Sequence, residues 1–324
     1  MAIKEGATDA GLTAGASAGL LRGAWRSVFG SDLWYSFTRS KITVISGAIT
    51  LVLVVSALLA PMISPQNPLD LSSLNLLDAL DPPVWMEGGS FDYPLGTDGQ
   101  GRDMLSAILF GARLSLIVGF ASVVFALIMG VSLGLIAGYR GGIVDGIIMR
   151  FADVQLSFPA ILIALLVDGI ARSVLPHDLQ DQIATYVLII AIGVSGWVQF
   201  ARTVRGSTMV EKSKEYVQAA RVIGVHPIRI MLGHVLPNVT GPVMVIATIY
   251  LAVAIITEAT LSFLGVGVPA TQPSLGTLIR IGGNFLFSGE WWITLFPAVM
   301  LAVLVLAVNL LGDWLRDALN PKLR

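Results

Sequence analysis

The sequence predicts an all-α membrane protein: six transmembrane helices, with a polar helical segment between the fourth and fifth. Three observations lead there. Of its 324 residues 55% are hydrophobic and only 13% charged, against about 25% charged in soluble domains. Apolar runs of spanning length recur along the chain. Lys and Arg, finally, are concentrated in alternate connecting segments.

A helix needs about 20 apolar residues to cross a hydrocarbon layer of roughly 30 Å. Residues 1–41 are read as a tail followed by an interfacial segment. Gly11 to Gly19 is low-complexity, and Trp25, Phe29, Trp34, Tyr35 and Phe37 alternate with Arg22, Arg26, Arg39 and Lys41. With no continuous apolar core near the start, no cleaved signal peptide is expected. Ile42–Ile63 is the first span and carries no charge. Residues 64–113 form the longest outer loop, extended or turn-rich around Pro65, Pro68, Pro82 and Pro83. Its later part reads as a capped amphipathic segment in which Asp98, Arg102 and Asp103 make a small ion-pair cluster, worth little where exposed.

Residues 114–315 hold the other five spans. Leu114–Ala137 is the second, and Gly130, Gly134 and Gly138 repeat within it every four residues. That spacing gives a flat strip on which another helix packs closely, either within this bundle or from a second subunit. The third span, Ile147 to Ile170, has Arg150, Asp153 and Asp168 near its ends and is expected to kink at Pro159. Ile183–Ala201, Val239–Phe263 and Trp291–Leu311 complete the set. Glu258 stands inside the fifth, where a charge costs about 2.5–3.5 kcal/mol, so it must face protein or a watery path. It either lines a substrate route or pairs with a nearby donor.

Six spans place both termini on one side. Sixteen of the 20 basic residues then fall in the same-side segments 1–41, 140–150, 202–229 and 316–324. By the positive-inside rule that side is the cytoplasm. The polar segment Glu211–Asn238 lies there too. Tyr216, Ala219, Ala220 and Ile223 make an apolar stripe at i, i+3, i+4 and i+7, with Lys214, Gln218 and Arg221 opposite. Gly224 is a natural helix stop and Pro227 a natural helix start. Such a helix–break–helix suits docking into a partner's groove, or is an ordinary cytoplasmic loop.

Several chemistries are missing. Without cysteine there is no disulfide, thiol nucleophile or thiolate metal site. His177, His226 and His234 are too scattered for a metal cluster. A net charge of −1 gives no reason to expect a nucleic-acid partner. No lysine follows a glycine, so no phosphate loop of the G-x-x-x-x-G-K-[ST] type exists. There is no HExxH, and the serines have no evident histidine partner. The chain is therefore expected not to be an enzyme and to draw energy from a partner or an ion gradient.

The run Glu215-Tyr-Val-Gln-Ala219-Ala220-x-x-x-Gly224, followed by His234-Val-Leu236-Pro237-Asn238, resembles the EAA loop of bacterial ABC-importer permeases. In that family the loop is the cytoplasmic coupling helix, seated in a cleft of the ATPase subunit. The resemblance assigns coupling to Glu215, Tyr216, Gln218, Ala219, Ala220, Gly224 and Pro237. Gln218 departs from the family's usual Glu. The pattern LGTD-x-x-GRD at 95–103 with GAR-x-SL at 111–116 is similar to the C-type permease of dipeptide, oligopeptide and nickel importers. The segments LSFLG-x-G (261–267), PSLG (273–276) and 309–321 follow in the family's order, and Pro82–Ser90 points toward the dipeptide branch.

The resemblance implies an inner-membrane heterodimer with a second related permease and two ATP-binding cassette subunits that hold ATP and Mg. A periplasmic or lipid-anchored binding protein would deliver short peptides. No cofactor or metal is expected in this chain itself. Nickel chelates, glutathione or longer peptides are alternative cargoes. An ion-coupled secondary transporter would instead require buried midplane charges and broken-helix repeats, and a membrane scaffold would transport nothing.

Overall fold

The computed structural model describes residues 32–70, 72, 74–269 and 271–319. Gly11 to Gly19, most of the aromatic–basic N-terminal segment and the last five residues lie outside the described residues. Helices account for most of the rest: α1 (Asp32–Arg39), α2 (Lys41–Leu58), α3 (Ala60–Ile63), α4 (Met104–Arg140), α5 (Gly142–Leu156), α6 (Ala160–Val174), α7 (His177–Glu211), α8 (Glu215–Val222), α9 (Pro227–Ile230), α10 (Leu236–Phe263), α11 (Leu275–Gly283) and α12 (Trp292–Leu319). Among the described residues there is no strand, only an isolated bridge between Thr97 and Asp103.

Five stretches are long and apolar enough to cross a membrane: Lys41–Leu58, Met104–Arg140, Leu179–Glu211, Pro227–Phe263 and Trp292–Ala318. The third expected span differs from its prediction. It is not one kinked helix but two, α5 and α6, bent by 97°. The cause is local. Pro159 has no N–H to donate, disfavours helix at Phe158, and itself sits extended at φ −55°, ψ 136°. α5 is held across α7 instead, by Asp145 to Arg205 at 2.5 and 2.6 Å and by Asp153 to Arg202 at 2.5 Å. Trp197 adds an indole hydrogen bond to Gln155 at 2.7 Å.

The second span also departs from expectation, starting at Met104 rather than Leu114. Asp103 caps it, accepting from the Ser106 N–H at 2.9 Å and the Ser106 hydroxyl at 2.5 Å. At 37 residues α4 is about 55 Å long, well beyond a roughly 30 Å hydrocarbon layer. It is the central post. One core gathers around it from α7, α10 and the α8 region, including Leu188, Phe200, Val217 and Tyr250. A second gathers from α2, α11 and α12, including Ala57, Leu275, Trp292 and Leu304.

The glycine strip is the reason α4 and α7 lie so close. A Cβ on Gly130 would sit 2.5 Å from the Trp197 carbonyl oxygen, one on Gly134 2.5 Å from that of Ala201, and one on Gly138 2.8 Å from that of Arg205. The strip therefore packs within this chain.

The Asp98, Arg102 and Asp103 cluster is not exposed to water. All three are buried. Arg102 Nε meets Asp98 at 2.7 Å, and Asp98 also accepts the N–H groups of Gln100 and Arg102 at 2.8 and 3.1 Å. The Asp103 N–H donates to the Gln66 side chain at 2.7 Å. Thr97 joins the Asp78 carbonyl to the Trp292 indole, through bonds of 2.5 and 3.1 Å. Together these fasten the loop before α4 to the start of α12.

Candidate functional site

The polar segment folds as a helix–break–helix. α7 ends at Glu211, a turn follows over 212–214, and α8 carries Glu215 in its first turn, where the positive helix end favours a carboxylate. Gly224 ends α8 at φ +80°, a conformation glycine adopts without penalty. Its N–H donates to the Arg221 carbonyl at 3.0 Å, and that of Val225 to the Ala220 carbonyl at 3.0 Å. This is the paired bonding of a Schellman stop. Pro227 opens α9, with His226 as its cap.

α9 runs through a π turn, Met231–Val235, into α10. The Leu236 N–H bonds back to Met231 rather than to Leu232. Pro237, next in line, has no N–H, so the widened turn falls where the usual ladder is already broken.

Val217 and Ala220 turn inward onto the core with Ile230 and Val235. Ala220 thus packs within the chain, while the other members of the apolar stripe drawn from spacing, Tyr216, Ala219 and Ile223, are exposed. The stripe drawn from spacing could not separate inner from outer members. Ala219, Val222 and Ile223 point outward, the last two 88% and 77% exposed. Ile228 and Leu232, beyond the break, are also exposed. Isolated exposed apolar residues are ordinary, but a contiguous patch marks a contact surface.

Polar bonds tie the segment to the membrane helices. Tyr216 donates its hydroxyl hydrogen to the Glu211 carboxylate and accepts from the Asn238 amide at 3.1 Å. Desolvation, then the Glu211 carboxylate, push the Tyr216 hydroxyl up to about 12. Lys214 pairs with Glu211 at 2.8 Å. Lys212 caps the end of α4 through the Gly138 carbonyl at 2.7 Å, and Arg221 stacks over the Tyr139 ring at 4.7 Å. The Gln218 amide donates to the Lys212 carbonyl at 2.8 Å. An ionised Glu has no hydrogen to make that bond, so Gln at this position has a structural use of its own. Pro237 lies exposed in the first turn of α10.

Glu258 is fully buried between helices. One carboxylate oxygen accepts from Ser115 on α4 at 2.6 Å, the other from Ser262 at 2.8 Å. Through Ser115 it ties α10 to α4. Among the described residues no group of His, Cys, Asp and Glu is arranged to hold a metal.

A family model described as "Binding-protein-dependent transport system inner membrane component" matches residues 130–324. The chain belongs to that family. A second model, the N-terminal TM domain of oligopeptide transport permease C, matches residues 29–83 of this permease. The permease is 38% identical over 293 residues to the dipeptide transport system permease protein DppC of Haemophilus influenzae, covering 90% of this chain and 95% of that one. It is likewise 38% identical to the oligopeptide transport system permease protein OppC of Bacillus subtilis, covering 90% of each. An inward-facing crystal form of the MetNI methionine ABC transporter shares the fold, with a TM-score of 0.53 and 20% identity over 67% of this chain and 98% of that one. The permease is thus a multi-pass inner-membrane protein.

Sequence reasoning missed two parts of this site. Val217, the innermost residue of α8, was not in the predicted stripe, although it lies three residues from Ala220 on one face. Glu211 and Asn238 were seen only as the ends of the segment, because the bond that joins Tyr216 to Asn238 spans 22 residues.

Proposed function

We propose that this permease is the C-type membrane subunit of an ATP-driven importer of dipeptides or short peptides, and that Glu211–Asn238 is its coupling element on the cytoplasmic side. The observation that carries this reading is the division of α8: an inner face sealed onto the permease, and an outer face of Ala219, Val222 and Ile223 left free. Glu215 and Ile228 flank that outer face, Gly224 sets the bend, and Pro237 marks the return into the membrane. The relatives named for dipeptide and oligopeptide transport support the cargo.

In this reading the chain is non-catalytic. A second related permease completes the pathway, two ATPase subunits hold ATP and Mg, and a binding protein delivers peptide from outside. Both termini are cytoplasmic, as the distribution of Lys and Arg supports. ATP-driven approach of the ATPase subunits would move α8, and α8 would move α7 and α10.

Proteoliposomes containing the two permeases and the ATPase subunits, supplied with binding protein, are expected to accumulate labelled dipeptide only with ATP inside the ATPase compartment. An imposed ion gradient without ATP should give none. Uptake by this chain alone under a proton or sodium gradient would contradict the proposal.

A further inference from the structure

We propose that Tyr216 is the positioning residue that locks α8 to both membrane helices at once, so that one displacement of α8 is delivered to α7 and α10 together. The inference rests on the coupling role proposed above and adds the means of transmission.

The geometry is a directed chain of hydrogen bonds. Asn238, in the first turn of α10, donates its amide both to the Tyr216 hydroxyl at 3.1 Å and to the His234 carbonyl at 2.7 Å. Tyr216 has one hydroxyl hydrogen and spends it on Glu211, the last residue of α7. The other Glu211 oxygen is taken by Lys214 at 2.8 Å, and Glu211 is only 6% exposed. With the phenol held up to about 12, it remains a donor across the physiological pH range.

The remaining attachments of α8 do not fix its register in this way. Val217 and Ala220 pack by apolar contact, which is non-directional and tolerates sliding. Gln218 and Arg221 bond to the α7 turn and to the end of α4, not to α10. On the α10 side, α8 is followed by the glycine break at Gly224. Without Tyr216 the eight-residue helix would stay packed yet pivot about that break. A hydrogen bond to a carboxylate is shorter and stronger than a neutral one, and here it closes the only side-chain bridge seen between α7 and α10 across α8 among the described residues.

Tyr216→Phe removes the hydroxyl and keeps the ring. In the reconstituted complex, co-purification with the ATPase subunits should persist, because the outward side chains Ala219, Val222 and Ile223 are untouched. Peptide uptake per ATP hydrolysed should fall roughly tenfold or more, as expected for losing a hydrogen bond to a charged group. Glu211→Gln keeps an acceptor but loses the charge and should fall between the two. A merely structural role would lower yield without changing the ratio of peptide to ATP. An unchanged ratio in Tyr216→Phe overturns the inference, as does loss of co-purification, which would make Tyr216 part of the docking face. Failure of the wild-type chain to co-purify with ATPase subunits refutes the coupling role itself and is read separately.

Discussion

Gly134→Leu is expected to leave no folded permease to extract from the membrane. The Cβ alone would stand 2.5 Å from the Ala201 carbonyl oxygen and 2.9 Å from the Val204 side chain. Since the first of these is backbone, no rotamer change relieves it and α4 and α7 must separate. Overpacking by a few atoms costs about 1–3 kcal/mol, the loss expected for Gly134→Ala. Leu adds three more carbons between the two helices on which the main core is built. Gly206, on an exposed side of α7 with nothing within 4 Å of its would-be Cβ, is the control. Gly206→Ala should be neutral or gain up to about 1 kcal/mol from helix propensity. Gel-filtration profile and melting temperature after detergent extraction check both, and a monodisperse Gly134→Leu protein would refute the packing account.

Asp98→Ala is expected to cost about 3–5 kcal/mol, the range for removing one member of a buried ion pair. Both side chains are at most 2% exposed. Arg102 would lose its Nε partner in a site closed to water, and the Gln100 and Arg102 N–H groups would lose their acceptor. The loop before α4 should then detach from Trp292, raising its sensitivity to protease on the face that carries that loop. Melting temperature and the rate of cleavage within 64–103 read the effect. A variant as stable and as protease-resistant as the parent would show that the buried cluster is not a clasp.

How far these features could be read in the sequence depended on the range of the chemistry behind them. Gly224 and Pro227 announce a stop and a start because a positive φ and a missing N–H are properties of single residues. The membrane class follows from length and charge in the same way, and the glycine strip from a spacing of four within one helix. The start of α4 was missed for a different reason. Ser106, Gly111 and Arg113 break the apolar run, while the real signal was Asp103 as a cap followed by Ser106 three residues on.

The separation of Ala220 from Ala219 and Ile223 was not legible. Which face of α8 is inner is set by Ile230 and Val235, beyond the break. Burial of Asp98 and Arg102 depends on Gln66, Asp78 and Trp292, which only the fold brings near. Pro159 predicted a bend, but its 97° size comes with the pairs Asp145–Arg205 and Asp153–Arg202, which hold α5 to α7.

The most direct test of the coupling account uses the absence of native cysteine. A single Ile223→Cys places a thiol on the outer face of α8 without competing sites in this chain. In the assembled complex, a short bifunctional thiol reagent should join it to a cysteine placed in the ATPase cleft, arrest ATP-driven peptide uptake, and release it on reduction of the link. The account is contradicted if the residue stays freely reactive to a soluble maleimide in the assembled complex and forms no adduct, or if the linked complex transports as before.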